Sequence, residues 1–406
     1  MSVQFFVPAS STNSDLETVL KLALNCRPMA PFDVALVEFV KDFAKSILLD
    51  KDARAYPELI VLANFFKAAN IIKLRTEIVG NCILVPRGLV FHLAPSNVDS
   101  VFLYSSLLSL LCGNVNLIRI SRGAGDQVKF IIGKLAILFA QDHAALANRF
   151  FVVTYDHDDA ITTLISQHCH MRVVWGGDVT VNKIRALPLR PTASELCFPD
   201  RFSAAMLRAD SVLSLDDKSL SDLCARFFND SIWFAQQACS SPRLVSWIGI
   251  EGNCTVARQR FWHVFNQQLP SKAYENSPGM VMDRFVTSCM VATDPLHRET
   301  TAVSFPTRIL LDNKPLATIK HYHCGNGLFY EQCFETVPQF FQSLSDREQT
   351  VSVFGFEAGE MTQYCQSLPM RSVDRITKIG NALDFGYVWD GYNLLHQFTR
   401  KIAVQL

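Results

Sequence analysis

The feature that most constrains the fold is an alternation of short apolar runs with helix-like segments between Leu89 and Trp175. β-Prone runs begin at Leu89, Val115, Phe150 and Met171, and a segment with helical spacing of apolar residues follows each of them. Strands that alternate with helices in this way are joined by right-handed crossovers and form a mostly parallel sheet. The sequence therefore predicts an α/β fold of the nucleotide-binding type.

Further elements are predicted on both sides of this region. The apolar spacing before it predicts three helices and then one strand of a hairpin, over Asp15–Leu24, Phe32–Leu49, Pro57–Lys73 and Glu77–Val85. A second α/β unit is predicted over residues 205–385. The stretch Pro188–Pro199 is rich in proline and turn residues, so we place the boundary between the two units there.

The charge balance excludes several classes of partner. The 406 residues include 38 basic and 38 acidic side chains, and the pI is about 7.1. Such a chain has no broad field to attract nucleic acid or an anionic membrane. The longest apolar run, Val101–Cys112, is broken by serines and is too short to cross a bilayer. We therefore predict no nucleic-acid binding and no membrane insertion.

The cysteines point to a reducing compartment. All 12 are scattered singly, and no Cys-x-x-Cys pair occurs. Zinc ribbons and disulfide frameworks are recognised by such pairs, so neither is indicated and no metal site is predicted. The cluster His321–Cys324 has no second ligand pair at zinc spacing. The N-terminal residues carry no secretory pattern, and we predict a cytoplasmic protein.

One of these cysteines, Cys239, is the candidate nucleophile. It lies between an apolar, helix-like segment, Phe227–Phe234, and a β-prone run, Leu244–Gly249. A thiol at such a junction can be strained and reachable from solvent. Thiolate chemistry requires this exposure or a lowered pKa, whereas core cysteines are inert. The alternative is that Cys239 is a small buried hydrophobic residue, as most cysteines are.

Two features at the ends of predicted strands are candidates for cofactor binding. Arg119, Ser121 and Arg122 stand where sheets that bind NAD often carry a carboxylate for the ribose. Two guanidinium groups with no neighbouring acid in the sequence suit a 2′-phosphate, which favours NADPH. The alternative is that Arg122 caps a surface loop. Gly176 and Gly177 precede a helix, where bare backbone can approach a pyrophosphate.

Five segments together resemble a known family, the acyl-CoA reductases of the LuxC type, within the aldehyde dehydrogenase superfamily. The resemblance extends over most of the chain from about residue 75 onward, and the blocks Gln-Gln-Ala-Cys-Ser-Ser-Pro and Asp-Phe-Gly-Tyr-Val-Trp-Asp-Gly are its most specific parts. The segments that carry it are Leu89–Asn97, Gly113–Ser121, Val173–Gly177, Gln236–Arg243 and Ala382–Gly391. The resemblance implies an NADPH-dependent reduction of an acyl thioester to an aldehyde through an acyl-cysteine.

The resemblance also implies roles for three catalytic candidates. Cys239 falls on the family's nucleophile, and Asn97 falls on the asparagine that binds the oxyanion in the superfamily. Glu195 occupies the position of the general-base glutamate of hydrolytic aldehyde dehydrogenases. The two glycines that usually follow this glutamate are Cys197 and Phe198 here, so the sequence departs from the pattern. A reductase has no need to activate water.

The domain organisation and the cofactor contacts follow from the same resemblance. It implies an aldehyde dehydrogenase-like α/β fold with two Rossmann-type parallel-sheet domains and a small bridging element. We expect a cofactor-binding domain over 1–200, with N-terminal helices and a hairpin near 77–88. A catalytic domain is expected over 201–385 and a bridging or oligomerisation segment over 386–406. Arg119 falls where a basic residue meets the adenosine ribose or its phosphate, and Gly176 and Gly177 fall beside the cofactor phosphates.

The expected function is therefore NADPH-dependent reduction of an acyl thioester, with Cys239 as nucleophile. Two alternatives stay open at this point. One is a cofactor-independent acyl transferase or thioesterase that uses Cys239, and the other is a non-catalytic scaffold subunit of an acyl-processing complex. The acyl donor is either acyl-CoA or an acyl carrier or acyl-activating protein. We also expect a homo-oligomer, because most soluble oligomers are assembled from identical subunits.

Overall fold

The computed structural model of the chain divides into two compact units. Unit 1 comprises Met1–Pro199 and Phe385–Leu406, and unit 2 comprises Asp200–Asp384. The structure describes residues 3–8, 15–78, 83–94, 101–123, 125–271, 274–301, 304–368 and 371–405. The roles that we expect for residues 1–200, 201–385 and 386–406 stay predictions.

Unit 1 is an α/β unit whose last elements come from the C-terminal part of the chain. Its helices and strands up to residue 199 are β1 (Gln4–Val7), α1 (Leu16–Asn25), α2 (Val34–Leu48), α3 (Pro57–Phe65), α4 (Ala68–Ile78), β2 (Ile83–Pro86), β3 (Leu89–Leu93), α5 (Val101–Leu111), β4 (Val115–Ile120), α6 (Asp126–Ala140), β5 (Phe150–Thr154), α7 (Asp159–His168), β6 (Met171–Trp175), α8 (Asp178–Arg185) and β7 (Ser194–Phe198). The segments that return to it are β15 (Val388–Trp389), β16 (Tyr392–Asn393), α15 (Leu394–Gln397) and β17 (Thr399–Ile402).

The main sheet of unit 1 has the strand order β1-β5-β4-β3-β6-β7. Every neighbouring pair is parallel except β1 and β5. The chain runs outward from β3 through β4 to β5, and it then returns to the other side of β3 to form β6 and β7. The strand order thus reverses between β3 and β6. In open sheets of this kind, ligands bind beyond the carboxyl ends of the strands at such a reversal.

Among the described residues near 77–88 no hairpin is formed, in contrast to the expectation. Glu77 lies in α4, and β2 pairs antiparallel with β17 at the other end of the chain, where Ile83 is opposite Ile402. Residues 79–82 lie outside the described residues. The alternation around Glu77–Val85 could not reveal the partner strand, because the partner follows only after unit 2.

The single helix expected over Pro57–Lys73 is two helices, α3 and α4. Asn64 near the end of α3 donates its side-chain amide to the carbonyl oxygen of Ile60 at 2.8 Å. Such bonds from side chain to backbone compete with the continuing helix. Phe66, which follows α3, is 1% exposed, so the break is buried in the core.

Unit 2 is a second α/β unit with a seven-stranded sheet. Its elements are β8 (Phe202–Arg208), α9 (Ala209–Leu213), α10 (Asp217–Ser231), β9 (Leu244–Ile248), α11 (Glu251–Gln268), α12 (Pro278–Ala292), β10 (His297–Thr300), β11 (Thr307–Leu311), β12 (Leu328–Phe334), α13 (Val337–Ser343), β13 (Glu348–Phe354), α14 (Ala358–Gln366) and β14 (Arg375–Lys378). The strand order is β10-β11-β12-β9-β8-β13-β14, and only β10 and β11 are antiparallel. The order reverses between β8 and β13. The prediction of an α/β fold with two parallel sheets is confirmed.

Both sheets are buried on their two faces. On β3 of unit 1, Leu89 and Phe91 pack into one hydrophobic cluster and Val90 into another. On β8 of unit 2, Ala204 likewise packs into one hydrophobic cluster and Ala205 into another. Parallel strands covered on both sides need continuous apolar runs, which explains the runs in the sequence. In the part of the chain that the structure describes, no helix is long and apolar enough to cross a membrane.

Candidate active site

Cys239 lies at the amino edge of the unit 2 sheet, the edge at which the parallel strands begin. The loop that contains it joins α10 to β9, and the thiol residue is half-buried. Residues 323–327 form a second loop at this edge, directly before the neighbouring strand β12. The two loops therefore lie side by side because their strands are hydrogen-bonded neighbours.

The backbone before Cys239 is strained. Phe234, Ala235 and Gln236 have φ values of 56°, 52° and 63°, so three successive residues with side chains are left-handed. This conformation costs roughly 1–2 kcal/mol per residue that carries a Cβ atom. The helix-like segment expected over Phe227–Phe234 accordingly ends at Ser231, where α10 ends. We call these three residues the 234–236 turn.

A second left-handed turn lies against the first one. Gly325, Asn326 and Gly327 have φ values of 70°, 57° and 80°, and we call them the 325–327 turn. The backbone N–H of Asn326 donates to the carbonyl oxygen of Ala235 at 2.8 Å. A Cβ atom on Gly325 would lie 3.0 Å from that same carbonyl oxygen, so glycine permits the close approach. Glycine also adopts positive φ at little cost.

The side chain of Gln236 joins these parts together. Gln236 is fully buried, and its Nε2 donates to the carbonyl oxygen of Pro242 at 2.8 Å. Its Oε1 accepts a hydrogen bond of 3.0 Å from the backbone N–H of Gly327. The first bond closes the base of the loop that contains Cys239, and the second bond ties this loop to the 325–327 turn.

The carbonyl group of Cys239 is held from the sheet. The hydroxyl of Ser203, near the start of β8, donates to the Cys239 carbonyl oxygen at 2.6 Å. The same hydroxyl oxygen accepts from the backbone N–H of Thr350 on β13 at 3.2 Å. Ser203 is fully buried, so these bonds are shielded from competing water. Two strands of the sheet thus fix the backbone position of the candidate nucleophile.

Two arginines, the half-buried Arg243 and the buried Arg284, supply positive charge at this edge. Burial lowers the pKa of Arg243, and the nearby thiol of Cys239 opposes this shift through its charge interaction with the guanidinium group. A cation so placed stabilises negative charge that develops on the thiol. Arg284 on α12 is 1% exposed, and its Nη1 donates to the carbonyl oxygen of Asn326 at 2.8 Å. Arg284 therefore anchors the 325–327 turn.

The predicted cofactor residues of β4 lie at the carboxyl edge of the unit 1 sheet, where the parallel strands end. Arg119 donates to the carbonyl oxygen of Tyr155 at 3.3 Å, and Ser121 is half-buried at the same edge. Arg122 is exposed, and its Nη1 lies 2.8 Å from the Oδ2 atom of Asp156. The expectation that no acid accompanies the two guanidinium groups is wrong. Asp156 follows β5, the neighbouring strand, so only the sheet topology reveals it.

Gly176 and Gly177 follow β6 at the same edge, beside the reversal of strand order. Gly177 caps α8, and its carbonyl oxygen accepts from the backbone N–H of Val181 at 3.0 Å. A Cβ atom on Gly176 would lie 3.1 Å from Cγ2 of Thr180 on α8. The backbone is thus bare and close to the first turn of the helix, whose N–H groups attract anions.

An aromatic cluster that the sequence analysis did not assign lies next to these glycines. Trp175, the last residue of β6, stacks on Phe198 with ring centroids 3.8 Å apart, and the ring of Trp389 lies 6.1 Å away. Both indole N–H groups are buried and have no hydrogen-bond partner among the described residues. They could donate to an acceptor on a bound group. One signal of this cluster is visible in the sequence, namely the many aromatic residues of the block Asp384–Gly391.

The remaining two candidates are Asn97 and Glu195. Asn97 lies outside the described residues, which omit 95–100. Glu195 on β7 is ion-paired: its Oε1 accepts from Nε of Arg172 at 2.7 Å, and its Oε2 lies 3.4 Å from Nε of Arg185. Arg172 is 1% exposed, so this pair is largely buried. Both carboxylate oxygens of Glu195 are therefore engaged.

The structure thus brings five predicted cofactor residues to one edge of unit 1 and places Cys239 in unit 2. It adds residues that the sequence analysis missed, and these are Ser203, Gln236, Arg243, Asp156, Trp175 and Trp389. Across the described ranges, no group of three or more histidine, cysteine, aspartate or glutamate side chains is placed to hold a metal ion.

Comparison with known proteins shows what part of this chain resembles. Residues 76–269 match the family of acyl-CoA reductases (LuxC), a segment that includes Cys239 and the predicted cofactor residues. Over these residues the chain is LuxC-like. This finding confirms the resemblance inferred from the sequence.

A relative of the LuxC-like chain is the long-chain acyl-protein thioester reductase of Photorhabdus luminescens. The two are 22% identical over 331 residues, which is 78% of this chain and 64% of the relative. The chain therefore spans less than two thirds of the relative's own length.

Solved structures support the fold of the LuxC-like chain. An aldehyde dehydrogenase from Bartonella henselae is similar with a TM-score of 0.67 and 13% identity, over 99% of this chain and 95% of that one. The indole-3-acetaldehyde dehydrogenase of P. syringae, solved with NAD+, is similar with a TM-score of 0.67 and 12% identity. That match covers 98% of this chain and 88% of the dehydrogenase. The predicted aldehyde dehydrogenase-like fold is confirmed.

Proposed function

We propose that the protein reduces an acyl thioester to the aldehyde with NADPH, through a covalent acyl group on Cys239. The observation that carries this proposal is the loop of Cys239. Its half-buried thiol follows a strained turn, and its backbone is fixed by Ser203 and Gln236. Strain that is held by so many contacts is typical of functional sites. The match to the LuxC family adds the reaction class.

The chemistry of the chain's own residues begins with Cys239. Its thiolate attacks the carbonyl carbon of the thioester, a carbon–sulfur bond to Cys239 forms, and the bond to the sulfur of the donor breaks. The donor leaves as a thiolate that takes a proton from solvent. The guanidinium of Arg243 stabilises the negative charge on Cys239 before attack and again when the aldehyde departs.

The oxygen of the thioester carbonyl becomes negatively charged during attack. Its donors would be the backbone N–H of Cys239 and the side-chain amide of Asn97. The loss of one such donor typically costs about 2.7–4 kcal/mol of barrier. The hydrogen bond from Ser203 to the Cys239 carbonyl oxygen fixes the peptide group on the other side of the Cys239 Cα atom.

The carboxyl edge of unit 1 fits a nicotinamide cofactor. Gly176, Gly177 and the start of α8 would hold the phosphates, and Arg119 and Arg122 would meet the ribose or its 2′-phosphate. The unpaired indole N–H of Trp175 is a donor for a carbonyl group at this edge. A reduced nicotinamide held there would supply a hydride, with its two electrons, to the acyl carbon, and release of the aldehyde would break the carbon–sulfur bond and return the thiolate of Cys239. Asp156 competes with a 2′-phosphate for Arg122, so the preference for NADPH over NADH is part of the proposal.

Glu195 is consistent with reduction and not with hydrolysis. A general base must be free to take a proton from water, whereas both oxygens of Glu195 are bound by guanidinium groups. We therefore assign Glu195 a structural contact with Arg172 in this reaction. Its catalytic role, which the resemblance suggests, stays a prediction.

The acyl donor is part of the proposal too. The name of the Photorhabdus luminescens relative refers to an acyl group on a protein, and we extend this to the present chain as one of two donors, the other being acyl-CoA. A cytoplasmic location and a homo-oligomeric state stay predictions that rest on the composition and on the resemblance.

Intact-protein mass spectrometry tests the proposal. Wild type and Cys239→Ala are mixed with a panel of acyl-CoAs of different chain length, and NADPH is then added. We expect an acyl adduct on the wild type alone, released as aldehyde by NADPH. An adduct that NADPH leaves unchanged but another thiol or water releases would indicate a transferase or thioesterase. No adduct on a folded wild type, with acyl-CoA or with an acyl carrier protein, would indicate a scaffold subunit.

A further inference from the structure

The two left-handed turns beside Cys239 differ in how well their residues suit them. The 325–327 turn contains two glycines and an asparagine, the residues that adopt positive φ most readily. The 234–236 turn contains phenylalanine, alanine and glutamine, which do not favour this conformation. Tertiary contacts must therefore hold the 234–236 turn in this conformation.

The contacts that hold it converge on Gln236. The Gln236 amide donates to Pro242 and accepts from Gly327, so it spans the loop of Cys239 and joins it to the 325–327 turn. One main-chain bond, from Asn326 to Ala235, runs beside it. The side chain is fully buried, and its removal would leave the Pro242 carbonyl oxygen and the Gly327 N–H without these hydrogen bonds.

We propose that Gln236 is a positioning residue for Cys239: its side-chain amide holds the strained 234–236 turn and thereby keeps the thiol in the position for attack. Without this amide the turn relaxes toward right-handed φ, and the loop from 237 to 241 moves with it. This inference rests on the proposed function, since it names the residue that prepares the same thiol. Gln236 itself touches neither thiol nor substrate in this role.

The variant Gln236→Met tests it, because methionine has a similar shape and no amide. We expect the rate of acyl-adduct formation with the best acyl-CoA of the panel to fall roughly 100-fold, since a displacement of about 1 Å can cost this much. The matched control is Gln268→Met on α11. The Gln268 amide also donates to a backbone carbonyl in unit 2, that of Ser221 at 2.7 Å. The control should acylate at the wild-type rate.

A rescue experiment separates positioning from a general loss of stability. Glycine at position 235 removes the penalty of one left-handed residue. Ala235→Gly in the Gln236→Met background should therefore restore the acylation rate by roughly fivefold. The rates are compared under conditions in which urea unfolding shows both variants to be fully folded, so a recovery reports the position of the thiol and not the amount of folded protein.

Hydrogen exchange measured by mass spectrometry gives a readout that needs no reaction. In Gln236→Met, amides of the peptide 234–243 should exchange roughly tenfold faster than in the wild type, and those of α11 should not change. Unchanged exchange in this peptide, or acylation at the wild-type rate, overturns the inference. If the wild type forms no acyl adduct, the proposed function fails, and the exchange comparison alone then decides whether Gln236 holds the loop.

Discussion

The two units have the same kind of sheet, but their candidate functional groups lie at opposite edges. In unit 1, Arg119 lies near the end of β4 and Arg122, Gly176 and Gly177 follow strands, so all four lie at the carboxyl edge. In unit 2, Cys239 precedes β9 and lies at the amino edge. The candidate residues of the first unit thus lie where the rule for parallel sheets expects a ligand, at the carboxyl ends of the strands, whereas Cys239 of the second unit does not. A shared topology does not determine which edge carries the chemistry.

The carboxyl edge of unit 2 shows why the rule does not apply there. At the reversal between β8 and β13, Arg208 donates from Nε to the carbonyl oxygen of Gly355 at 2.8 Å. Its Nη2 lies 2.6 Å from Oε1 of Glu360, and its guanidinium carbon lies 4.5 Å from the ring centre of Phe356. The position that would receive a ligand in other sheets is occupied by the protein's own side chain.

The largest expected effect concerns the strand next to the reversal in unit 1. His92 on β3 is fully buried between the side chains of Ser105 and Asn116, and burial lowers its pKa from 6.5 to about 4. The folded state therefore keeps His92 neutral, while the unfolded state binds a proton below pH 6.5. Stability that is present at pH 7 is lost as the pH falls through this window, by about 3 kcal/mol.

Urea unfolding checks this prediction at pH 7 and pH 4.5, with His92→Gln as the variant that does not titrate at this position. The wild type should lose about 3 kcal/mol more unfolding free energy than the variant between the two pH values. Equal losses of unfolding free energy in the two proteins would mean that His92 on β3 does not make unit 1 sensitive to acid.

The second prediction concerns the occupied edge of unit 2. Arg208→Met should lower the unfolding free energy by about 2 kcal/mol, because the Gly355 carbonyl and the Glu360 carboxylate lose a charged donor. The rate of acyl transfer to Cys239 should stay within twofold of the wild type at a temperature where both are folded. A large loss of acylation would show that the two edges of this sheet are not independent.

The third prediction concerns the bare backbone of unit 1. Gly176→Val should weaken NADPH binding roughly tenfold, since its side chain must displace Thr180 and lie near the start of α8. Binding can be followed by the fluorescence of the reduced nicotinamide. Acyl-adduct formation without cofactor should proceed as in the wild type. If acylation falls with binding, the separation of roles between the units is contradicted.

The smallest expected effect concerns the ion pair between Arg122 and Asp156. The exposed pair contributes little stability, so Asp156→Asn should fold normally and leave Arg122 free to bind a phosphate. We expect the ratio of NADPH to NADH affinity to rise roughly fivefold, and to fall in Arg122→Gln by a similar factor. Identical ratios in all three proteins would exclude Arg122 from the discrimination.

Local pattern was sufficient for much of the fold. The runs Leu89–Leu93, Val115–Ile120, Phe150–Thr154 and Met171–Trp175 were expected as strands, and they coincide with β3, β4, β5 and β6. Buried parallel strands have continuous apolar sequences, so they are easily recognised. Contacts between segments that are distant in the chain could not be predicted from the sequence. The partner of β2 and the acid beside Arg122 both come from strands that are neighbours only in the folded sheet.

The backbone of the site was predictable only where the residue types favour the conformation that they adopt. Gly-Asn-Gly at 325–327 is a readable sign of a left-handed turn, whereas Phe-Ala-Gln at 234–236 gives no such sign. The sequence suggested strain near Cys239 from its place between a helix and a strand. The form of the strain is set by tertiary contacts of Gln236, which no local pattern contains.

The order in which the chain is synthesised differs from the order in which its units can be completed. Unit 2 is one continuous segment, but unit 1 needs β17, which pairs with β2, and the buried residues Leu394 and Phe398. Domains fold as units while the chain leaves the ribosome from its N-terminus. The unit that contains Cys239 can therefore finish folding first, and unit 1 must wait with an incomplete core until β17 emerges. During translation, the part of unit 1 that precedes unit 2 is the part that needs protection longest.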